Sequence, residues 1–167
     1  MSQKSRNSAI SRVAIFWDLQ NVKATEKQIR CLMMFADTKG HVVLKKAYAH
    51  WKRENEELED LLCDLFEPIN VPSFKRKRNR ADYKLIEHCR QRVLHNPDIS
   101  TVILLSQDGD FTCLVNELKA NGKQVIVVAH SEKSTNRKLI KLADEFYLLS
   151  QIEQRLSNLL RSSVRNS

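Results

Sequence analysis

Three uncharged runs rich in β-branched and large apolar residues, Val13–Trp17, Thr101–Leu105 and Val125–Ala129, constrain the fold of this 167-residue chain more than any other feature. A strand with no polar side has to be covered on both faces, and the sheet that provides such cover is a parallel one with helices above and below. Segments of helical period lie between the runs. Ile29, Leu32, Met33 and Ala36 follow the capping box Thr25-x-x-Gln28 and end before Gly40. Leu58, Leu61, Leu62, Leu65 and Phe66 mark a second amphipathic helix, with Pro68 just beyond it. Leu85, Ile86, Cys89 and Val93 mark a third, and Phe111, Leu114, Val115 and Leu118 a fourth that stops by Gly122. Weaker strands are expected at about 41–49, 69–71 and 146–149, a short helix at 139–143 and a terminal helix at 152–160. Strands alternating with helices define βαβ units and an α/β fold.

The polar, Ser-rich ends at 1–11 and 157–167 are expected to fray as tails, which leaves one domain over 12–156. A domain of this size buries enough apolar surface to fold without disulfides or structural metal. No apolar run approaches the roughly 20 residues of a membrane helix, and residues 1–12 lack a signal-peptide core, so the expected location is cytoplasmic, with no membrane partner. Cys31, Cys63, Cys89 and Cys113 form no C-x-x-C pair. Each is expected to be a small buried hydrophobe on a helix. His41, His50, His88, His95 and His130 form no triad or ligand pair and receive no role.

The acids are placed with more order. Asp18 directly follows the first strand, Asp108 and Asp110 follow the strand at 101–105, and Asp82 falls in the first turn of the third helix. In an open parallel sheet, sites form beyond the carboxyl ends of the strands where the strand order reverses. Each acid taken singly has the plain explanation of a helix cap or first-turn acid. Together, carboxylates converging on one spot repel and need a cation, and hard oxygen donors select Mg²⁺ or Mn²⁺. No P-loop glycine pattern is present, and Asp108-Gly109-Asp110 lacks the rest of a calcium loop.

The formal charge of +8 favours polyanionic partners. The excess is concentrated at residues 75, 76, 77, 78, 80, 84, 90 and 92, where Lys or Arg outnumber the acids Asp82 and Glu87. Lys75, Arg76, Lys77, Arg78 and Arg80 lead straight into Asp82 and are candidates for binding a nucleic-acid backbone. A solvated loop and a nuclear import signal are the alternatives. Phe74, Tyr83, Tyr48 and Trp51 are candidates for stacking on unpaired bases, while Phe16 and Trp17 are expected in the core.

Phe16-Trp17-Asp18-Leu19-Gln20-Asn21, Asn79-Arg80-Ala81-Asp82 and Ser106-Gln107-Asp108-Gly109-Asp110-Phe111 resemble the three motifs of the NYN domain, a PIN-like ribonuclease family that includes a LabA-like branch. Leu142–Phe146 resembles it too, and the likeness extends over about 12–150. It implies a PIN-like three-layer domain with a central, mainly parallel sheet and helices on both faces. It also implies metal-dependent hydrolysis of single-stranded or structured RNA. Asp18, Asp82, Asp108 and Asp110 would then be metal-binding or catalytic acids, Asn21 would orient a ligand or phosphate, and Ser106 would support the site. Gln107 departs from the glycine more usual in the third motif. Many PIN relatives carry a Glu after the second strand; Glu54, Glu56, Glu57 and Glu59 are all available here. Asp144 is expected to be structural. Two other readings stay open: a noncatalytic RNA-binding or protein-interaction module that keeps the fold, and an aspartyl-phosphate enzyme built on Asp18. The sequence leaves the oligomeric state open, a homo-oligomer included.

Overall fold

The computed structural model describes residues 10–71 and 80–165. Six strands form one sheet: β1 (Arg12–Asp18), β2 (His41–Ala49), β3 (Glu67–Asn70), β4 (Thr101–Leu105), β5 (Gln124–Ala129) and β6 (Glu145–Leu148). Their order is β3-β2-β1-β4-β5-β6, and every neighbouring pair is parallel. The helices between them are α1 (Glu26–Lys39), α2 (Glu56–Leu65), α3 (Arg80–Cys89), α4 (Thr112–Ala120) and α5 (Arg137–Leu142), with α6 (Leu149–Arg165) closing the chain.

Side chains alternate along a strand, so β1 feeds both cores. Val13, Ile15 and Trp17 join Leu32, Leu62 and Ile152 in the layer of α1, α2 and α6, whereas Ala14 and Phe16 join Leu85, Leu114 and Leu139 in the layer of α3, α4 and α5. These five of the seven β1 residues are fully buried, as a central strand covered on both faces requires. The result is the three-layer α/β arrangement. Pro68 lies in β3 rather than at a helix end, on an edge strand where the missing N–H is tolerated.

Two expectations are corrected. The segment expected to fray from residue 157 is helical as far as Arg165. Nothing from 149 to 165 is Gly or Pro, and Leu149, Ile152 and Leu156 anchor the helix in the core, so an established helix extends outward at little cost. All four cysteines lie on helices, but only Cys31 and Cys89 are buried. Cys63 and Cys113 are exposed, because each sits one position before or after a core leucine, Leu62 and Leu114, and so turns about 100° away from it.

Candidate metal centre

β1 and β4 lie side by side in the middle of the sheet, Trp17 opposite Leu105, and the strand order reverses between them. The loops leaving these two strands therefore diverge to opposite faces and leave a crevice. Asp18 ends β1 at its rim. The chain then turns tightly: the Asp18 carbonyl accepts the N–H groups of Asn21 (3.1 Å) and Val22 (3.0 Å), and Leu19 N–H donates to the Tyr48 carbonyl. The Trp17 indole N–H donates to the Val22 carbonyl at 2.8 Å. With Leu19 and Val22 fully buried, this loop is fixed to the core.

After β4, buried Ser106 accepts Asp108 N–H at 3.2 Å and donates to the Asn21 side-chain oxygen at 3.4 Å. That oxygen also accepts Gln107 N–H at 2.6 Å. Asp108 then caps the 3-10 turn Gly109–Phe111 by accepting Asp110 N–H at 2.9 Å. The Asn21 oxygen is thus used to hold the Asp108 loop. Ser106 supports the same loop from beneath.

Gln107 ties in a third loop. Its side-chain oxygen accepts His130 N–H (3.2 Å) and Ser131 N–H (2.9 Å), while its amide nitrogen donates to the Asn21 carbonyl (3.4 Å). Its own carbonyl accepts Asn136 N–H at 3.0 Å. Gln107 therefore joins the loops after β1, β4 and β5 through its side chain. The departure from the motif was legible, but its partners, 86, 23 and 24 residues away, were not.

Into this frame Asp82 enters from the first turn of α3. Carboxylate oxygens of Asp82, Asp108 and Asp110 lie within 4.8 Å of one another. Asp18 adjoins them: its carboxyl interacts with that of Asp82 and feels the charge of Asp108. Asp18 is 4% and Asp82 7% exposed. Burial foremost, with Asp108 adding to it, raises the Asp18 pKa to about 6. Burial and then the charges of Asp18, Asp108 and Asp110 raise that of Asp82 to about 7. Asp82 interacts with both Asp18 and Asp108, so a proton on Asp82 partly offsets the repulsion. A divalent cation does so more completely, and a donor set made only of carboxylate oxygens suits Mg²⁺ or Mn²⁺.

Other candidates fall elsewhere. Glu54 is held by Lys23 at 2.7 Å, and Glu56, Glu57 and Glu59 lie in the first turn of α2, outside the acidic group. Asp144 accepts Val125 N–H and pairs with Lys119, a structural role. Tyr48 and Trp51 are buried and cannot meet a base, Tyr48 because its hydroxyl turns inward to His88 (2.9 Å); Tyr83 is exposed. Phe74, Lys75, Arg76, Lys77 and Arg78 lie outside the described residues, and Arg80 is described only as the start of α3. Arg137 and Lys138 of α5 line a cavity together with Asp108 and Asp110. Nothing in the local sequence marked them.

Gly109 keeps the two acidic residues in register. A Cβ there would come 2.5 Å from the Asn136 amide nitrogen, and Asn136 caps α5 by accepting Lys138 N–H and Leu139 N–H. We predict that Gly109→Ala displaces this cap, lowers stability by about 1 kcal/mol and weakens Mn²⁺ binding. Unchanged thermal melting and unchanged Mn²⁺ affinity would show that the contact relaxes freely.

An all-parallel three-layer domain with acids gathered at the crevice between its central strands has the architecture of a PIN-like protein. The sequence matches the NYN domain over residues 12–150, and the chain belongs to that family. A crystal structure of a protein of unknown function from Vibrio parahaemolyticus RIMD 2210633 is similar, with a TM-score of 0.71 and 26% identity, covering 86% of this chain and 95% of that one. No match is found among the curated proteins.

Proposed function

We propose that this protein is a divalent-metal-dependent ribonuclease of the LabA-like branch, acting in the cytoplasm on single-stranded or structured RNA. The observation that carries the reading is the convergence of Asp82, Asp108 and Asp110, with Asp18 alongside, from three different chain segments onto one crevice. Caps and first-turn acids have no reason to meet in this way, because unscreened carboxylates at such separations destabilise the fold.

Asp18, Asp82, Asp108 and Asp110 would hold Mg²⁺ or Mn²⁺. Bound there, such an ion activates water and stabilises charge developing on phosphate oxygens. Ser106 and Asn21 hold the Asp108 loop against the β1 loop, so they would set the carboxylate geometry, with Asn21 also placed to orient a phosphate. Lys75, Arg76, Lys77, Arg78 and Arg80 would contact the RNA backbone, since this cationic run immediately precedes Asp82 in sequence. Among the described residues no helix is long and apolar enough to cross a membrane.

Purified protein incubated with end-labelled single-stranded and duplex RNA and DNA tests substrate, activity and metal together. Cleavage of RNA is expected in Mn²⁺ or Mg²⁺, to stop in excess chelator and to resume when either ion is restored. Cleavage that persists undiminished in chelator would reject the mechanism.

A further inference from the structure

We infer that the RNA strand engaged at the acidic centre continues across the start of α5, where Arg137 and Lys138 hold its phosphates, and seats one unpaired base in the adjoining cavity beside His130. This rests on the ribonuclease reading for the nature of the polymer. Its geometry comes from two cavities that share a residue. The first cavity, about 630 Å³, is lined by Asp108, Gly109 and Asp110 of the acidic centre together with Asn136, Arg137 and Lys138. Arg137 also lines a second cavity of about 690 Å³, with His130, Glu132, Lys133, Ile140 and Leu148 around it.

Arg137 and Lys138 are exposed and make no ion pair among the described residues. Lys39, Arg90 and Lys119 are each matched by an acid within 3.3 Å, whereas Arg137 and Lys138 share their lack of an ion pair with Lys133 of the adjoining cavity. Two unmatched cations that line one cavity with Asp108 and Asp110 of the acidic centre suit a ligand that is itself anionic and repeats its charge. A phosphate backbone is such a ligand, bound to the metal-holding acids at one phosphate and to Arg137 and Lys138 at the next ones.

The second cavity has different chemistry. Ile140 and Leu148 supply apolar wall, His130 an exposed aromatic plane, and Glu132 a carboxylate that repels phosphate but accepts from the amino group of a base. Aromatic planes beside a cationic track are how proteins hold unpaired bases, and a paired base cannot enter. The His130 backbone N–H is held by Gln107, which pins the Asp108 loop as well. The base cavity and the acidic centre are therefore held in register by one side chain.

The test is fluorescence-anisotropy binding of labelled single-stranded and duplex RNA in chelator, where the strand stays whole, across a range of salt. Arg137→Gln/Lys138→Gln is expected to bind single-stranded RNA more weakly and to lower its salt slope by about 1.4, two contacts at roughly 0.7 each. His130→Ala is expected to weaken single-stranded binding about fivefold or more with the salt slope kept, and to leave duplex binding unchanged. These side chains are exposed and the backbone bonds survive, so the variants keep the fold, which circular dichroism checks. An unchanged slope in the double variant, or equal losses on both RNAs in His130→Ala, would overturn the inference. Wild-type protein that binds RNA but does not cleave it in Mn²⁺ would reject the nuclease reading and leave the track standing. Wild-type protein that binds no RNA would reject both.

Discussion

Replacing Asp108 by Asn should lower metal-dependent RNA cleavage on the order of a hundredfold or more, while the apo domain becomes no less stable. The size follows from the proposed role: loss of residues that merely orient metal ligands costs about 10- to 100-fold in affinity or activity, so loss of a ligand should cost at least as much. The unchanged fold follows from the geometry. Asp108 caps the Gly109–Phe111 turn through a side-chain oxygen that accepts Asp110 N–H, and Asn retains that oxygen and ranks with Asp as a cap. The substitution also removes a charge that raises the pKa of both Asp18 and Asp82. Asp18→Asn should act alike on cleavage. Full activity in both variants would remove the acidic centre from the mechanism, and unfolding of both would show that the acids serve as caps.

A second large effect should appear without RNA: in chelator, the domain should lose stability as pH rises from about 4 to above 7. Burial raises the folded pKa of Asp18 to about 6 and that of Asp82 to about 7, both above the ordinary carboxylate value of about 3.9 in an unfolded chain. With the folded value raised, the folded state binds more protons, and stability falls with increasing pH. The contribution is fully present below the unfolded pKa and is lost as pH passes through the folded one. For Asp18 the difference corresponds to about 3 kcal/mol at 1.36 kcal/mol per unit. Asp82 adds less than its own shift implies, because the acids raise one another. Urea midpoints at pH 5 and pH 8 measure the effect. The drop should shrink in Asp18→Asn, and Mn²⁺ at pH 8 should reverse it in the wild type, since a ligand that binds only the folded state stabilises it. A flat profile would mean that the carboxylates are better solvated than their burial indicates.

Most of the fold could be read directly, because the strongest signals are local and repetitive. Val13–Trp17 and Thr101–Leu105 have no polar side to turn to water, so each had to be a strand covered on both faces, and Asp18 and Asp108 follow them by chain connectivity alone. Adjacency of β1 and β4 at the reversal point also follows from a general rule of open parallel sheets, and the register of Trp17 opposite Leu105 agrees with it. Helical period identified the faces of α1 to α4.

What the chain alone left undecided is which of its residues meet across long separations. Tyr48 and Trp51 read as surface aromatics near a site, yet the packing of α3 over β2 and the hydrogen bonds to His88 and the Ile69 carbonyl draw them inward. Cys63 and Cys113 sit among apolar neighbours, but one step along a helix turns a side chain from core to solvent. Gln107 stood out only as a departure from a motif, and its work lies in bonds to Asn21, His130 and Ser131. Arg137 and Lys138 lie more than 25 residues beyond Asp110 and come to line a cavity with it only because β5 runs parallel beside β4 and returns the chain to the same edge. Strand polarity and burial are short-range consequences of hydrophobic patterning and are therefore written in the sequence. The closing of the acidic crevice by three bonded loops, and the cations that line a cavity with Asp108 and Asp110, depend on how the finished sheet orders its strands, which the tertiary structure decides.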